Sequence, residues 1–266
     1  MSAPARRRAH RRQTRWAVTI LLAGVVLVVL GWLRGTPEAQ VVAKPRTDPT
    51  VQPSAEPSQS AGPVLQIAGD FPKSGPGTFL IGKTGGPLIG SSGTLKRFRI
   101  AVESNVPDEI EEFTRMVDLT LADPRSWIAG KQHRFQRVAE GAAYDFTVHL
   151  VTRETAYQMC SVSGLDIRQD GVPYTSCQQV RKVIINLDRW RLSVPDYVNG
   201  GIPLETYRQY VINHEVGHEL GRGHEACPGP GKPAPTMFRQ TLGLKGCTAN
   251  PWPYLDGKRY AGAPVP

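Results

Sequence analysis

The chain has 266 residues, of which 40% are hydrophobic and 21% charged, and its formal net charge at pH 7 is +9. The basic excess is local, because seven of the 32 lysines and arginines lie in the first 34 residues, which contain no acid, leaving 25 bases against 23 acids. The remainder is almost neutral. The charge therefore gives no reason to expect a nucleic-acid partner.

The first predicted element is a membrane anchor. Residues 16–33 form a run of eighteen uncharged residues, which would be about 27 Å long as a helix and so close to one hydrocarbon thickness. Six arginines precede this run and one follows, an asymmetry that places residues 1–15 in the cytoplasm as a basic tail. A cleaved signal peptide is the alternative, but its apolar region is normally shorter. We expect a single-pass protein of the cell membrane with an uncleaved signal anchor.

A stalk is predicted between the anchor and the folded domain. Residues 34–62 are rich in proline, serine, threonine and alanine and contain few large apolar groups. Such a segment buries too little apolar surface to fold, so we expect it to be disordered. The folded domain then spans residues 63–266, outside the cytoplasm.

Within that domain, hydrophobic periodicity predicts an α/β fold. Residues 62–94 favour short strands or a hairpin arm, with apolar pieces at 64–67, 79–81 and 87–89. Helical spacing predicts a helix over 107–122, opened by a proline and several acids. Strands are predicted at 98–102, 135–138, 146–151 and 183–187, and a second main helix begins near residue 204.

The second helix carries the pattern H-E-x-x-H-x-x-G-x-x-H, at His214, Glu215, His218, Gly221 and His224. Residues four apart share one face of a helix, so the first two histidines can aim their imidazoles at a single ion. The third histidine reaches the same ion only if the chain bends, which the glycine permits because it tolerates a left-handed conformation. The other three histidines, His10, His133 and His149, lie far from this pattern and are not expected to be ligands.

The ligand set predicts one catalytic zinc ion. Three imidazoles leave a fourth position for water, whereas structural zinc sites are closed by four protein ligands. Glu215 follows the first ligand directly and can serve as general base and then general acid for a water whose pKa zinc lowers to about 7. A zinc site kept for folding alone is the alternative, but it has no use for a carboxylate at this position.

The complete pattern resembles the metzincin zinc peptidases, which have a methionine turn beneath the metal. Met237 lies thirteen residues after His224, in a loop rich in proline and glycine. The resemblance implies a metzincin-like zinc-protease domain, with a mostly parallel twisted sheet, two main helices and Met237 as the hydrophobic floor of the metal site. Several metzincins carry a tyrosine two residues after the methionine, whereas this chain has Arg239, a candidate to assist the oxyanion in its place.

Other segments are similar to an uncharacterised family of membrane-anchored actinobacterial proteins that is assigned to the metzincins by its motif. They are residues 123–127, 207–227 and 246–253, and the likeness extends over roughly residues 65 to 262. It supports the fold and the metal and implies no substrate.

The four cysteines, Cys160, Cys177, Cys227 and Cys247, all lie in the part predicted to be outside the cytoplasm. An even number in an oxidising compartment indicates two disulfides, for which three pairings exist. We favour Cys160 with Cys177 and Cys227 with Cys247, because each pair closes a loop rich in glycine or proline. No C-x-x-C spacing occurs, which argues against a cysteine zinc site.

Together these features predict a membrane-anchored zinc endopeptidase that acts on protein or peptide substrates outside the cytoplasm. Two alternatives stay open. A zinc-dependent amide hydrolase of the cell envelope, acting on peptidoglycan, would use the same water activation. A non-catalytic surface module would use zinc only to brace a binding face.

Overall fold

A computed structural model describes residues 62–265 of the chain. The predicted cytoplasmic tail, the membrane anchor at 16–33 and all of the stalk except Gly62 lie outside these residues. Among the residues described, no helix is both long enough and apolar enough to cross a bilayer.

The described residues form eleven strands and five α-helices. The strands are β1 (Phe79–Ile81), β2 (Leu88–Ile89), β3 (Thr94–Glu103), β4 (His133–Arg137), β5 (Phe146–Val151), β6 (Arg168–Gln169), β7 (Val172–Pro173), β8 (Cys177–Gln179), β9 (Lys182–Asn186), β10 (Tyr254–Leu255) and β11 (Lys258–Arg259). The helices are α1 (Ile110–Ala122), α2 (Arg153–Ser161), α3 (Leu187–Leu192), α4 (Pro195–Asn199) and α5 (Leu204–Glu219), with short 3-10 turns at Pro107–Glu109, Trp127–Gly130 and Gln240–Leu242.

One seven-stranded sheet organises the domain, in the order β2-β4-β3-β5-β9-β8, with β1 paired to the far end of β3. The central strands β4, β3, β5 and β9 are parallel, and the outer strands β2, β1 and β8 are antiparallel to their neighbours. The prediction of an α/β domain with a mostly parallel sheet is confirmed at this level.

The sheet is covered on both faces, which explains the almost continuous apolar sequence of its central strands. Along β9, Val183 and Ile185 point into the main core, which also contains the apolar faces of α1 and α5. Ile184, between them, points into a smaller cluster with residues of α2 on the opposite face. This alternation follows from the two-residue period of a strand.

The amino-terminal part of the domain differs from the prediction. β1 and β2 form as expected, but they pair with β3 and β4 and not with each other, so no hairpin arm exists there. The predicted strand at 64–67 is wrong. The carbonyl of Val64 accepts a hydrogen bond from the amide of Leu204, and the amide of Ile67 donates to Arg191, so this stretch is held by α5 and α3 instead of the sheet.

Candidate metal centre

The three histidines of the motif converge at the end of α5. The distance between Nε2 of His214 and Nε2 of His218 is 3.3 Å, and that between Nε2 of His218 and Nε2 of His224 is 3.2 Å. One ligand atom from each ring lies within 4.8 Å of the other two. The structure therefore brings together the three side chains that the spacing selected.

A helix-ending turn places the third ring. Gly221 has φ +81°, and its amide donates to the carbonyl of His218, while the amide of Arg222 donates to that of Gly217. These two bonds form the Schellman arrangement, in which a left-handed residue reverses the chain just beyond a helix. The bend predicted at Gly221 is present, and it turns His224 back towards the other two rings.

Backbone carbonyls set the tautomers of the two helical histidines. Nδ1 of His214 lies 2.8 Å from the carbonyl oxygen of Thr236, and Nδ1 of His218 lies 2.8 Å from that of Arg222. A carbonyl only accepts, so both Nδ1 atoms carry the proton and both Nε2 atoms present a lone pair towards the centre of the cluster. Burial also lowers the pKa of both rings, which favours the neutral form that binds metals.

Arg239 faces the third histidine. Its Nη2 lies 3.2 Å from Nδ1 of His224, and it also lines the cleft in front of the cluster. Burial, His218 and the arginine together lower the pKa of His224 to about 4. A guanidinium only donates, so this contact needs a lone pair on Nδ1 of His224. If His224 bound a metal through Nε2, the proton of its ring would lie on Nδ1 instead. Metal binding would thus require Arg239 to leave Nδ1.

Glu215 lies in the same cleft as the three rings, and only 4% of its surface is exposed. Desolvation alone raises the pKa of its carboxyl group to about 8. A nearby cation would oppose this effect, because it stabilises the charged carboxylate. Glu215 is therefore buried in the cleft beside the three histidines, and a cation placed next to it would lower its pKa.

Met237 packs tightly against the turn of α5 between His214 and His218. It is fully buried, and a Cβ atom added to Gly217 would lie 2.4 Å from its Sδ. The same Cβ would lie 2.7 Å from the indole of Trp127. Only glycine allows both side chains to touch the helix between His214 and His218, a requirement that the sequence interpretation missed.

Buried hydrogen bonds fix the loop that carries Met237. The side-chain amide of Gln240 donates to the carbonyls of Pro235 and Asn250, and its side-chain oxygen accepts from the hydroxyl of Tyr197 at 2.6 Å. The side-chain amide of Asn250 donates to Ala234. These side chains hold both ends of the loop, so the methionine has a defined position.

Asn213, directly before the first ligand, is a second residue that the sequence interpretation missed. It is fully buried, accepts from Ser126 Oγ at 2.8 Å, and donates to the carbonyl of Pro251 at 3.0 Å, while its own carbonyl accepts from the Trp127 indole. Segments 123–127 and 246–253 thus meet at α5. Asparagine has a low propensity for helix interiors, and its presence in the sequence of α5 was the one sign that this residue makes a specific contact.

Both favoured disulfides are present, Cys160 with Cys177 and Cys227 with Cys247. The first closes a loop that contains β6 and β7 and forms one wall of the cleft, and the second closes the loop that contains Met237. Arg239, Thr241 and Leu242 of the second loop line the opposite side of the cleft, which has a volume of about 400 Å³.

The remaining polar residues considered from the sequence lie elsewhere. His133 is on β4 and His149 on β5, away from the ligand cluster, and His10 lies outside the described residues. Glu219 is half-buried and accepts a hydrogen bond from Gln178 Nε2 at 2.7 Å. This bond joins the end of α5 to the edge strand β8.

Comparison with known proteins gives a family and no activity. No curated protein and no solved structure matches the chain. A family model described as a protein of unknown function (DUF3152) matches residues 65–255, which include all three histidines, Glu215 and Met237. Because this match covers well over half of the sequence, the chain belongs to the DUF3152 family.

Proposed function

We propose that this protein is a metzincin-like, zinc-dependent endopeptidase. The observation that carries the proposal is the convergence of three imidazole Nε2 atoms beside the buried carboxyl group of Glu215, in an open cleft. The predicted anchor and the two disulfides further support a protein held at the cell membrane with this domain outside the cytoplasm.

The donor set fits zinc. Nitrogen ligands bind zinc at about 2.0–2.1 Å, and a tetrahedral arrangement separates such ligands by about 3.3–3.4 Å. The two Nε2 distances of 3.3 and 3.2 Å agree with this separation. All three rings have lowered pKa values, so they are neutral at pH 7 and would together hold one ion.

The side chains divide the chemistry among them. When bound, zinc supplies a Lewis acid that acidifies water and polarises a carbonyl group. Glu215 takes the proton of the attacking water and passes it to the leaving amine. Burial raises the pKa of Glu215 in the metal-free chain, and zinc beside it would lower that pKa again, so that the carboxylate can accept the proton. Met237 supports the turn between the ligands, and Arg239, once turned from His224, can donate to the developing oxyanion.

The shape of the cleft supports a peptide substrate. Strand β8 lies at the edge of the sheet, antiparallel to β9, and residues 175–178 form one wall beside the histidines. An extended peptide can add to such an edge through main-chain hydrogen bonds. A peptide bound there would pass in front of Glu215 and the three rings.

Digestion of denatured protein and of a peptide library tests this proposal. The zinc-loaded full-length chain should cut internal peptide bonds, and Glu215→Gln, which keeps the three ligands, should be slower by a factor of at least about 100. A parallel digest of purified cell wall separates a peptidase from a peptidoglycan amide hydrolase. One zinc ion per chain with no cleavage above that of the Glu215→Gln control would contradict the proposal and favour a non-catalytic module.

A further inference from the structure

A cluster of buried polar side chains lies at the carboxyl end of α3. Three arginines in the described part of the chain are buried: Arg137, Arg189 and Arg208. Arg137 pairs with Asp118 at 2.9 Å, and Arg208 pairs with Glu112 at 3.3 Å. For Arg189, no carboxylate among the described residues lies within 4 Å.

The contacts of Arg189 balance its charge only in part. Its Nη1 donates to the carbonyl of Ser193 at 2.7 Å, and its guanidinium lies 4.1 Å from the centre of the Tyr174 ring. Its Nε is buried and has no hydrogen-bond partner among the described residues. A buried cation without a counter-ion is unfavourable, and this arrangement is one that an anionic ligand would complete.

Ser193 provides an independent sign of a ligand. It is 1% exposed, and its Oγ has no hydrogen-bond partner in the described structure. Its backbone has φ +56° and ψ −147°, a conformation that non-glycine residues rarely adopt. A serine kept in this conformation, with an unused hydroxyl group beside an unpaired arginine, suggests a function for that hydroxyl group.

Both residues line the same cavity, which has a volume of about 370 Å³. Its other walls include the apolar side chains of Leu192, Val194 and Val198. A guanidinium and a hydroxyl group in a cavity with several apolar walls match a carboxylate on an aliphatic stem better than a hydrated inorganic anion.

A smaller cavity of about 150 Å³ lies between this site and the metal cleft. It shares Tyr174 and Val194 with the Arg189 cavity, and Thr241 and Leu242 with the metal cleft. The carboxylate could therefore belong either to a free organic acid or to an acidic side chain of a peptide that reaches from the cleft.

We infer that Arg189 and Ser193 form a binding site for a carboxylate group. The guanidinium supplies the charge and two or more N–H donors, Ser193 Oγ supplies a further donor, and the apolar walls hold the stem. Carboxylate binding at this site needs neither the metal nor cleavage of a peptide, so it can be measured separately from the proposed peptidase activity.

Calorimetric titration of the zinc-free full-length chain tests the site with two probe pairs. One pair is 3-methylbutanoate and its amide, and the other is a blocked pentapeptide with a single glutamate and its glutamine counterpart. Only the two carboxylates should bind, and Arg189→Met should raise their dissociation constants by at least about tenfold. Arg97→Met, which removes an equal charge from an exposed position, should leave binding unchanged.

Stability measurements keep the test decisive if the arginine variant folds poorly. Ser193→Gly relieves the positive φ, so it should raise the melting temperature without ligand while weakening carboxylate binding severalfold. Tighter binding of the peptide identifies an acidic side chain as the source of the group, and tighter binding of 3-methylbutanoate identifies a free acid. No carboxylate binding, or binding that neither Arg189→Met nor Ser193→Gly weakens, would overturn the inference.

Discussion

Replacing Glu215 by glutamine should make the metal-free chain more stable. The pKa of Glu215 is about 8 in the folded chain, compared with an ordinary value of 4.5, because burial disfavours the charged form. The folded chain therefore holds the proton more tightly than the unfolded chain. The contribution of this group to the free energy of unfolding is therefore fully present below about pH 4.5 and is lost as the pH rises towards 8.

At pH 7 the unfolded chain releases this proton and the folded chain retains it. The interval from 4.5 to 7, at about 1.4 kcal/mol per pH unit, corresponds to about 3 kcal/mol of lost stability. Glutamine has nearly the same shape and no charge, so Glu215→Gln should recover most of this amount. A bound cation would stabilise the carboxylate, and the difference between the two proteins should therefore shrink when zinc is present.

Urea denaturation of both full-length proteins, followed by tryptophan fluorescence at pH 5 and pH 7.5 with and without zinc, measures these differences. Without zinc, the free energy of unfolding of Glu215→Gln should exceed that of the unsubstituted chain by more at pH 7.5 than at pH 5. Equal stability of the two proteins at both pH values in the absence of zinc would refute the assignment of Glu215 as a buried, desolvated acid.

Two further substitutions test the structure around the ligands. Gly217→Ala would force a Cβ to within 2.4 Å of Met237 Sδ and should cost about 1–3 kcal/mol in urea denaturation, whereas Gly223→Ala, which meets nothing within 4 Å, should change stability by less than about 0.5 kcal/mol. Similar effects of the two substitutions would argue against close packing of the methionine. Replacing Cys227 and Cys247 together by serine opens a loop with a sequence separation of 20 and should lower stability by about 3 kcal/mol, and an unchanged denaturation midpoint would contradict a structural role for this disulfide.

Local periodicity was sufficient to predict the elements that place the ligands. α5 begins at Leu204 as expected, β5 has the predicted bounds 146–151, and the turn at Gly221 follows from the need to redirect His224. These features depend on residues close together in the sequence, so patterns within one turn or one strand contain the necessary information. α2 (Arg153–Ser161) was missed because most of its residues are polar and show no clear apolar face in the sequence.

The contacts that hold the site together could not be predicted in this way. Asn213 meets Ser126 and Pro251, which are 87 and 38 residues away along the chain. Gly217 is restricted by Met237, a contact across twenty residues that composition does not reveal. Nor does spacing show that Arg239 faces Nδ1 of His224, because this depends on the path of the loop after the methionine. Each of these requires the tertiary fold.

X-ray absorption at the zinc edge of the zinc-loaded full-length chain would show whether the three histidines hold one zinc ion. We expect one zinc ion per chain with three imidazole nitrogens at about 2.0–2.1 Å and no sulfur ligand. His224→Ala should remove one of these nitrogens and weaken zinc binding, whereas His133→Ala, on β4 and outside the cluster, should leave the spectrum unchanged. A chain that binds no zinc, or a spectrum that His224→Ala does not alter, would rule out a zinc site formed by His214, His218 and His224.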